Sequence, residues 1–199
     1  ADAVKFQTFK AKRLVTKNAP KANYQIKNTN NNETQLDMLS RLELSDQDHQ
    51  VLMRYCREKG LIFMSTPFDE PSADLLEALG VLCFKIPSGE ITNHPYLKHI
   101  AAKRLPMVVS TGMAYLSEVE EAVKAIESTG HKEFVLLHCV SNYPADPADA
   151  NLRAMHAMQS AFGVDVGYSD HTLGGAVSMA AVAMGCLLYT SDAADEKVR

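Results

Sequence analysis

The stretch Phe134-Val135-Leu136-Leu137-His138-Cys139-Val140-Ser141-Asn142-Tyr143-Pro144 passes from an unbroken apolar run to a cluster of polar side chains. A run that is apolar at every position, instead of alternating, suits a strand buried on both faces. Parallel sheets covered by helices provide that setting. Five further segments read the same way: Ala3 to Phe6, Leu61 to Met64, Val81 to Ile86, Met107 to Val109 and Val164 to Gly167.

Helical signals with start and stop residues lie between these runs. Ser45 followed by Asp48 opens a helix through Val51, Leu52, Tyr55 and Cys56 that stops at Gly60. Pro71-Ser72 leads into Leu75, Leu76 and Leu79, ending at Gly80, and Pro95 starts a short helix through Leu97 and Ile100. Ser117 with Glu120 forms a capping-box pattern ahead of Val119, Val123 and Ile126, closed by Gly130. Asn151 precedes Leu152, Met155, Met158 and Phe162, with Gly163 as the stop, and Gly174-Gly175 precedes a last helical stretch up to Gly185. Strand and helix alternate throughout, which predicts an α/β protein with a parallel sheet. The connection from Lys10 to Ser45 is long, polar and rich in asparagine (Asn28, Asn30, Asn31, Asn32). Such a connection reads as a lid or mobile segment. Tyr24, Leu36, Met38, Leu39 and Leu42 predict that part of it is helical and packs down.

The polar residues fall at one end of every strand. Lys5-Phe6-Gln7-Thr8 ends the first, Ser65-Thr66-Pro67-Phe68-Asp69 the second and Lys85-Ile86-Pro87-Ser88-Gly89-Glu90 the third. Ser110-Thr111-Gly112-Met113, the His138 to Pro144 segment and Gly167-Tyr168-Ser169-Asp170-His171-Thr172 complete the set. In a (β/α)8 barrel the strand C-termini converge on one mouth, where active sites lie. An open doubly wound sheet places ligands mainly at one switch point, so six decorated strand ends favour a closed ring. The predicted fold is therefore a (β/α)8 TIM barrel. At 199 residues the chain is short for a complete barrel of about 250 residues.

Composition narrows the partners. The chain is 46% hydrophobic and 22% charged with a net charge of −4. No basic stripe supports nucleic-acid binding. No apolar stretch approaches the roughly 20 residues of a membrane span, and Ala1 to Lys5 has neither the basic start nor the apolar run of a signal peptide. Cys56, Cys83, Cys139 and Cys186 are widely spaced, which reads as buried thiols of a cytoplasmic protein and not as a zinc site.

Two lysines, Lys5 and Lys85, point at the same predicted mouth as Thr66, Ser88, Ser110 and Ser169. Two ammonium groups near one another are unfavourable unless an anion sits between them. Hydroxyls donating to the same place complete a site for phosphate and carboxylate together. Glu90 offers a base or a water-orienting group, and His171 a metal ligand or an acid/base. His138 reads as a hydrogen-bonded core histidine. His49, His94, His99, His131 and His156 read as surface or packing residues, and Asp170 as a group that orients a neighbour or caps the next helix.

The six strand-end motifs, in this order and at these spacings, resemble the sialic acid synthase family over about Ala1 to Gly185. Members of that family condense phosphoenolpyruvate with an N-acetylated aminosugar such as N-acetylmannosamine, releasing phosphate, with a divalent metal (Mn2+ or Mg2+). The resemblance implies that Lys5, Thr66, Lys85, Ser88, Ser110, Ser141 and Ser169 bind phosphoenolpyruvate, Ser141 standing where asparagine is common. It implies that Gln7, Asn28, Glu90 and Tyr143 face the sugar and that His171 is one of two histidine metal ligands. Lys5, Lys85 and Glu90 would be catalytic, Glu90 by orienting or activating water. A full-length member is expected to be a homodimer.

Three departures from the family pattern set further expectations. A first strand with a sugar-contacting acid is expected before Ala1. A second histidine is expected soon after Gly185, where the chain instead reads Cys186-Leu187-Leu188-Tyr189-Thr190-Ser191-Asp192. A small C-terminal domain is also expected. Residues 1–185 thus read as a partial barrel synthase domain, with the eighth strand in doubt, and residues 186–199 as a tail outside the family pattern. A sister synthase making legionaminic or pseudaminic acid, a Schiff-base keto-acid aldolase, or an inactive anion-binding fragment are the alternative readings.

Overall fold

Parallel pairing carries the apolar runs further than their composition suggests. In the computed structural model, which describes residues 1–21, 33–186 and 188–191, β1 (Ala3–Thr8) and β2 (Ile62–Pro67) pair from Ala3↔Ile62 to Thr8↔Pro67. Gln7, Ser65 and Thr66 therefore lie inside strands and not in the loops after them. The same holds for β4 (Met107–Ser110), β5 (Phe134–Cys139) and β6 (Val166–Asp170). Their last rungs include Ser110↔Leu137 and Cys139↔Ser169. Between β2 and β4 lies the short β3 (Phe84–Ile86). The chain is an α/β protein whose β1–β2, β4–β5 and β5–β6 pairs are parallel.

Two compact units divide the chain, Ala1–Lys85 and Ile86–Arg199. The first holds β1 and β2 with α1 (Ala11–Leu14), α2 (Gln35–Ser40), α3 (Asp46–Glu58) and α4 (Glu70–Leu79). Helix α3 starts where the sequence places it. Ser45 Oγ accepts from the Asp48 N–H at 3.1 Å and the Asp48 carboxylate accepts from the Ser45 N–H at 2.8 Å, a reciprocal capping box. The Ser45 hydroxyl, which donates to that carboxylate at 2.7 Å, and the Ser45 N–H hold the Asp48 carboxyl below the usual carboxylate range. Helix α4 is capped by Asp69, which accepts from the Ser72 N–H at 2.7 Å, and ends at Gly80, whose φ of 80° is the left-handed C-cap. Inside the unit, Phe6 stacks on Phe63 with centroids 5.2 Å apart. Helix α2 realises the predicted helical part of the long connection; Asn28 and Tyr24 lie outside the described residues.

The second unit begins at Ile86 and holds α5 (His94–Ala102), α6 (Leu116–Glu127), α7 (Arg153–Phe162) and α8 (Ala176–Ala183) around a parallel sheet. Within it the strands follow the order β4-β5-β6-β7. Strand β7 (Tyr189–Ser191) pairs with β6 through Tyr168↔Tyr189 and Ser169↔Thr190, in a segment to which the sequence reading gave no element. The fully buried core includes Leu97, Ile100, Val109, Ile126, Leu136 and Tyr168.

The expected cap of α6 is wrong by two residues. The helix is capped from Tyr115, whose N–H donates to the Glu118 carboxylate at 2.7 Å. Glu118 satisfies that backbone donor from the third helical position without a serine hydroxyl, so Ser117 falls within the first turn. Glu120 instead forms an (i, i+4) pair with Lys124 at 2.5 Å. Asp170 does not cap the helix that follows either. Its buried carboxylate accepts from the Thr172 N–H and Oγ1 and from Ser178 Oγ on α8. All four cysteines are free, with Cys56, Cys139 and Cys186 buried. No helix of the described residues is long and apolar enough to cross a membrane.

Candidate active site

Period-two alternation assigns each strand residue to a face. In the first unit the register Gln7↔Thr66 and Lys5↔Met64 puts Lys5, Gln7 and Thr66 on one face of the β1–β2 pair. Phe6, Thr8, Phe63 and Ser65 take the opposite face. Thr66 is 4% exposed and Lys85, on β3, 3% exposed; Lys5 is half-buried and Gln7 exposed.

In the second unit the registers Ser110↔Leu137, Leu137↔Gly167 and Cys139↔Ser169 place Ser110, Cys139, Gly167 and Ser169 on one face. His138, Tyr168 and Asp170 take the other. The site face carries small groups close together. Ser88 Oγ accepts from the Gly112 N–H at 3.1 Å and lies 3.4 Å from Cys139 Sγ. Ser141 Oγ belongs to the same cluster. A β-carbon placed on Gly112 would sit 2.6 Å from Ser141 Oγ, 2.8 Å from Cys139 Sγ and 2.9 Å from Ser88 Oγ. Any larger residue there would force these three side-chain tips to move. Met113 follows with a φ of 63°, a left-handed conformation that costs a non-glycine residue about 1–2 kcal/mol.

A second cluster surrounds His171. Its Nδ1 lies 2.6 Å from the Val140 carbonyl, which can only accept, so Nδ1 carries a proton. In the neutral ring Nε2 is then the acceptor, with Ser169 Oγ at 3.2 Å and the Tyr143 hydroxyl at 3.3 Å. The Tyr143 ring stacks on the imidazole at 4.2 Å and 26°. Thr190 donates to Ser169 Oγ at 2.9 Å. A histidine whose Nδ1–H is held by a backbone carbonyl presents Nε2 as metal ligands do. Among the described residues no group of three or more His, Cys, Asp or Glu side chains converges, so the fit to a metal rests on one nitrogen.

The structure thus brings together Ser88 and Ser141, and separately Tyr143, Ser169 and His171. Ser110 lies on the same face at 4% exposure. Glu90 is turned to Asn93, whose Nδ2 donates to its carboxylate at 2.7 Å. His138 is the core histidine expected, donating from Nε2 to the Ala150 carbonyl at 2.8 Å. Burial holds its pKa below the ordinary value, opposed by that bond. The sequence reading missed the Gly112 N–H and Cys139. Their signal was present in Ser110-Thr111-Gly112-Met113 and in Cys139 two residues ahead of Ser141.

A family model described as NeuB family matches residues 1–189. The chain belongs to the NeuB family. It is 52% identical over 189 residues to an N,N'-diacetyllegionaminic acid synthase of Legionella pneumophila, covering 93% of this chain and 53% of the relative. The corresponding Campylobacter jejuni synthase is 51% identical, with 93% and 56% covered. This NeuB-family chain therefore spans about half the length of the curated relatives it matches. The crystal structure of an N-acetylneuraminic acid synthetase from Leptospira borgpetersenii, in complex with citrate, superposes with a TM-score of 0.83 at 31% identity. That match covers 96% of this chain and 61% of the other.

Proposed function

We propose that this chain carries catalytic residues of a synthase that condenses phosphoenolpyruvate with an N-acetylated aminosugar, giving a nonulosonic acid and phosphate, on a (β/α)8 barrel. The observation that carries the reading is the cluster of Ser88 Oγ, Ser141 Oγ and the Gly112 N–H at adjoining strand ends. Its hydroxyls, with Ser88 Oγ held by the Gly112 N–H, offer small donors to an anion where a larger side chain would block approach. Lys5, Thr66 and Lys85 enter the proposal on their motifs, as phosphoenolpyruvate ligands with Ser110 and Ser169. The two legionaminic acid synthases at 52% and 51% identity favour a di-N-acetylated sugar over N-acetylmannosamine.

In this mechanism the anion ligands hold C3 of phosphoenolpyruvate in near-attack geometry on the open-chain aldehyde of the sugar. C3 forms the new carbon–carbon bond, the aldehyde oxygen takes a proton, and positive charge develops at C2. Water adds at C2 and loses a proton, and the tetrahedral intermediate collapses to the 2-keto acid as its C2–O bond to phosphate breaks, the phosphate leaving with the bonding pair and taking the proton of the C2 hydroxyl. Glu90, steadied by Asn93, orients that water, while Gln7, Asn28 and Tyr143 face the sugar. A divalent metal, Mn2+ or Mg2+, held by His171 Nε2, would polarise the aldehyde when bound.

A thermal melt with and without phosphoenolpyruvate and Mn2+, followed by a phosphate-release assay with mono- and di-N-acetylated hexosamines, tests the reading. The expected result is a raised midpoint with phosphoenolpyruvate and phosphate release that depends on the sugar. A pyruvate adduct trapped by borohydride, with no phosphate released, would overturn it.

A further inference from the structure

Behind the first unit's proposed ligand face runs a buried polar chain that the mechanism above does not use. His49, on α3, is 0% exposed, Ser65 0% and Thr8 4%. His49 Nδ1 lies 2.8 Å from the Ser45 carbonyl, which can only accept, so Nδ1 donates. In the neutral ring Nε2 must accept, and the partner 2.8 Å away is Thr8 Oγ1. Thr8 has then used its one proton, so the contact with Ser65 Oγ at 2.7 Å has Ser65 as donor. Every direction follows: Ser65 donates to Thr8, Thr8 to His49, and His49 to the backbone of Ser45. Ser45 is itself the capped start of α3. The chain therefore ties the last residues of β2 and β1 to a fixed helix end.

Three polar side chains sealed beside Phe63, whose ring lies 6.4 Å from the His49 ring, are costly where apolar packing would serve. A fully satisfied buried network instead fixes a single arrangement. What it fixes here is the terminal rungs. Phe6↔Ser65 and Thr8↔Pro67 bracket Gln7↔Thr66, so the network holds both neighbours of the rung that presents Gln7 and Thr66 on the opposite face.

We infer that His49 is a positioning residue: through Thr8 and Ser65 it sets the height of the Gln7↔Thr66 rung, and so, through Thr66, the first unit's grip on phosphoenolpyruvate. This rests on the function proposed above. The test compares steady-state kinetics of the wild-type protein with its His49→Leu, His49→Gln, Ser65→Ala and Thr66→Ala variants. His49→Leu removes the acceptor for Thr8. It is expected to raise KM for phosphoenolpyruvate by about tenfold to a hundredfold, as small misplacements do, with kcat within about twofold. His49→Gln keeps an acceptor near the Nε2 position and restores most of the loss, which a merely structural role would not predict. Should His49→Leu fail to fold, Ser65→Ala, which removes only the far donor, is expected to show a smaller rise of the same kind. A folded His49→Leu variant with wild-type KM, beside a Thr66→Ala variant with raised KM, would overturn the inference and leave the functional reading standing. Wild-type KM in Thr66→Ala and His49→Leu alike would overturn the assignment of Thr66 to phosphoenolpyruvate and the inference with it.

Discussion

The two faces of the second unit's sheet both carry polar residues but put them to opposite uses. On the helix-covered face, His138 donates to Ala150 and Asp170 accepts three bonds from Thr172 and Ser178. Those groups are tied to their own unit's backbone and helices. On the other face, Ser88, Cys139 and Ser141 crowd around Gly112 with their tips 2.6–2.9 Å from where a β-carbon would be. The difference teaches that a polar residue at a strand end is not itself a site signal. Parity along the strand is what separates the two sets: Cys139 and Ser169 share the candidate site face, while their neighbours His138, Tyr168 and Asp170 share the helix-covered one.

The largest expected effect breaks the site face. In Gly112→Ala the new methyl displaces the tips of Ser88, Cys139 and Ser141, all short side chains able to rotate. Ligand-free stability should fall by only about 1–2 kcal/mol. Affinity for phosphoenolpyruvate should fall by about a hundredfold, because the displaced hydroxyls no longer converge. Melts with and without phosphoenolpyruvate separate the two quantities, and a full ligand-induced shift in the variant would show that this cluster does not meet the anion.

An effect of the opposite kind, on stability instead of affinity, is expected across the sheet. Asp170→Ala removes a carboxylate that is 1% exposed and leaves Ser178 and the Thr172 N–H without their acceptor. Loss of about 2–4 kcal/mol is expected, from the stranded partners more than from the lost bonds. The urea midpoint should drop, while the variant, where folded, should keep its response to phosphoenolpyruvate. An unchanged midpoint with lost ligand response would place Asp170 with the site instead.

This parity explains what could be read from the sequence and what could not. The apolar runs marked six of the seven strands among the described residues, and Ser45, Asp48, Gly80 and Gly163 marked helix ends, because each of those signals is local. Ser110 and Ser169 were legible as polar residues at strand ends for the same reason. The strand limits were not, because a parallel ladder ends where its partner ends; only the pairing Gln7↔Thr66 shows that the motif residues are inside strands. His49 was read as a surface or packing residue because its partners, Thr8 and Ser65, lie far away along the chain and share no pattern with it. The α6 cap was misplaced because Ser117 and Glu120 match the motif, while Glu118 satisfies the donor first.

The smallest effect sharpens the structural face. Tyr168 is fully buried, and its hydroxyl has no hydrogen-bond partner among the described residues. Burial, with Asp170 and Cys139 nearby, pushes its pKa up to about 12. A buried hydroxyl without a partner carries a desolvation penalty that its ring does not share. Tyr168→Phe keeps the ring and should leave stability unchanged or raise it by up to about 1 kcal/mol at neutral pH. The alkaline limb adds a sign. The folded pKa lies above the unfolded value near 10, so the stability tied to the neutral phenol is whole below pH 10 and is lost as pH rises toward 12. The phenylalanine variant lacks that loss, so its advantage should widen across that window in urea midpoints taken at successive pH values. A variant less stable than wild type by more than about 1 kcal/mol at neutral pH would mean that the hydroxyl is bonded after all, and that both faces of the sheet keep their polar groups satisfied.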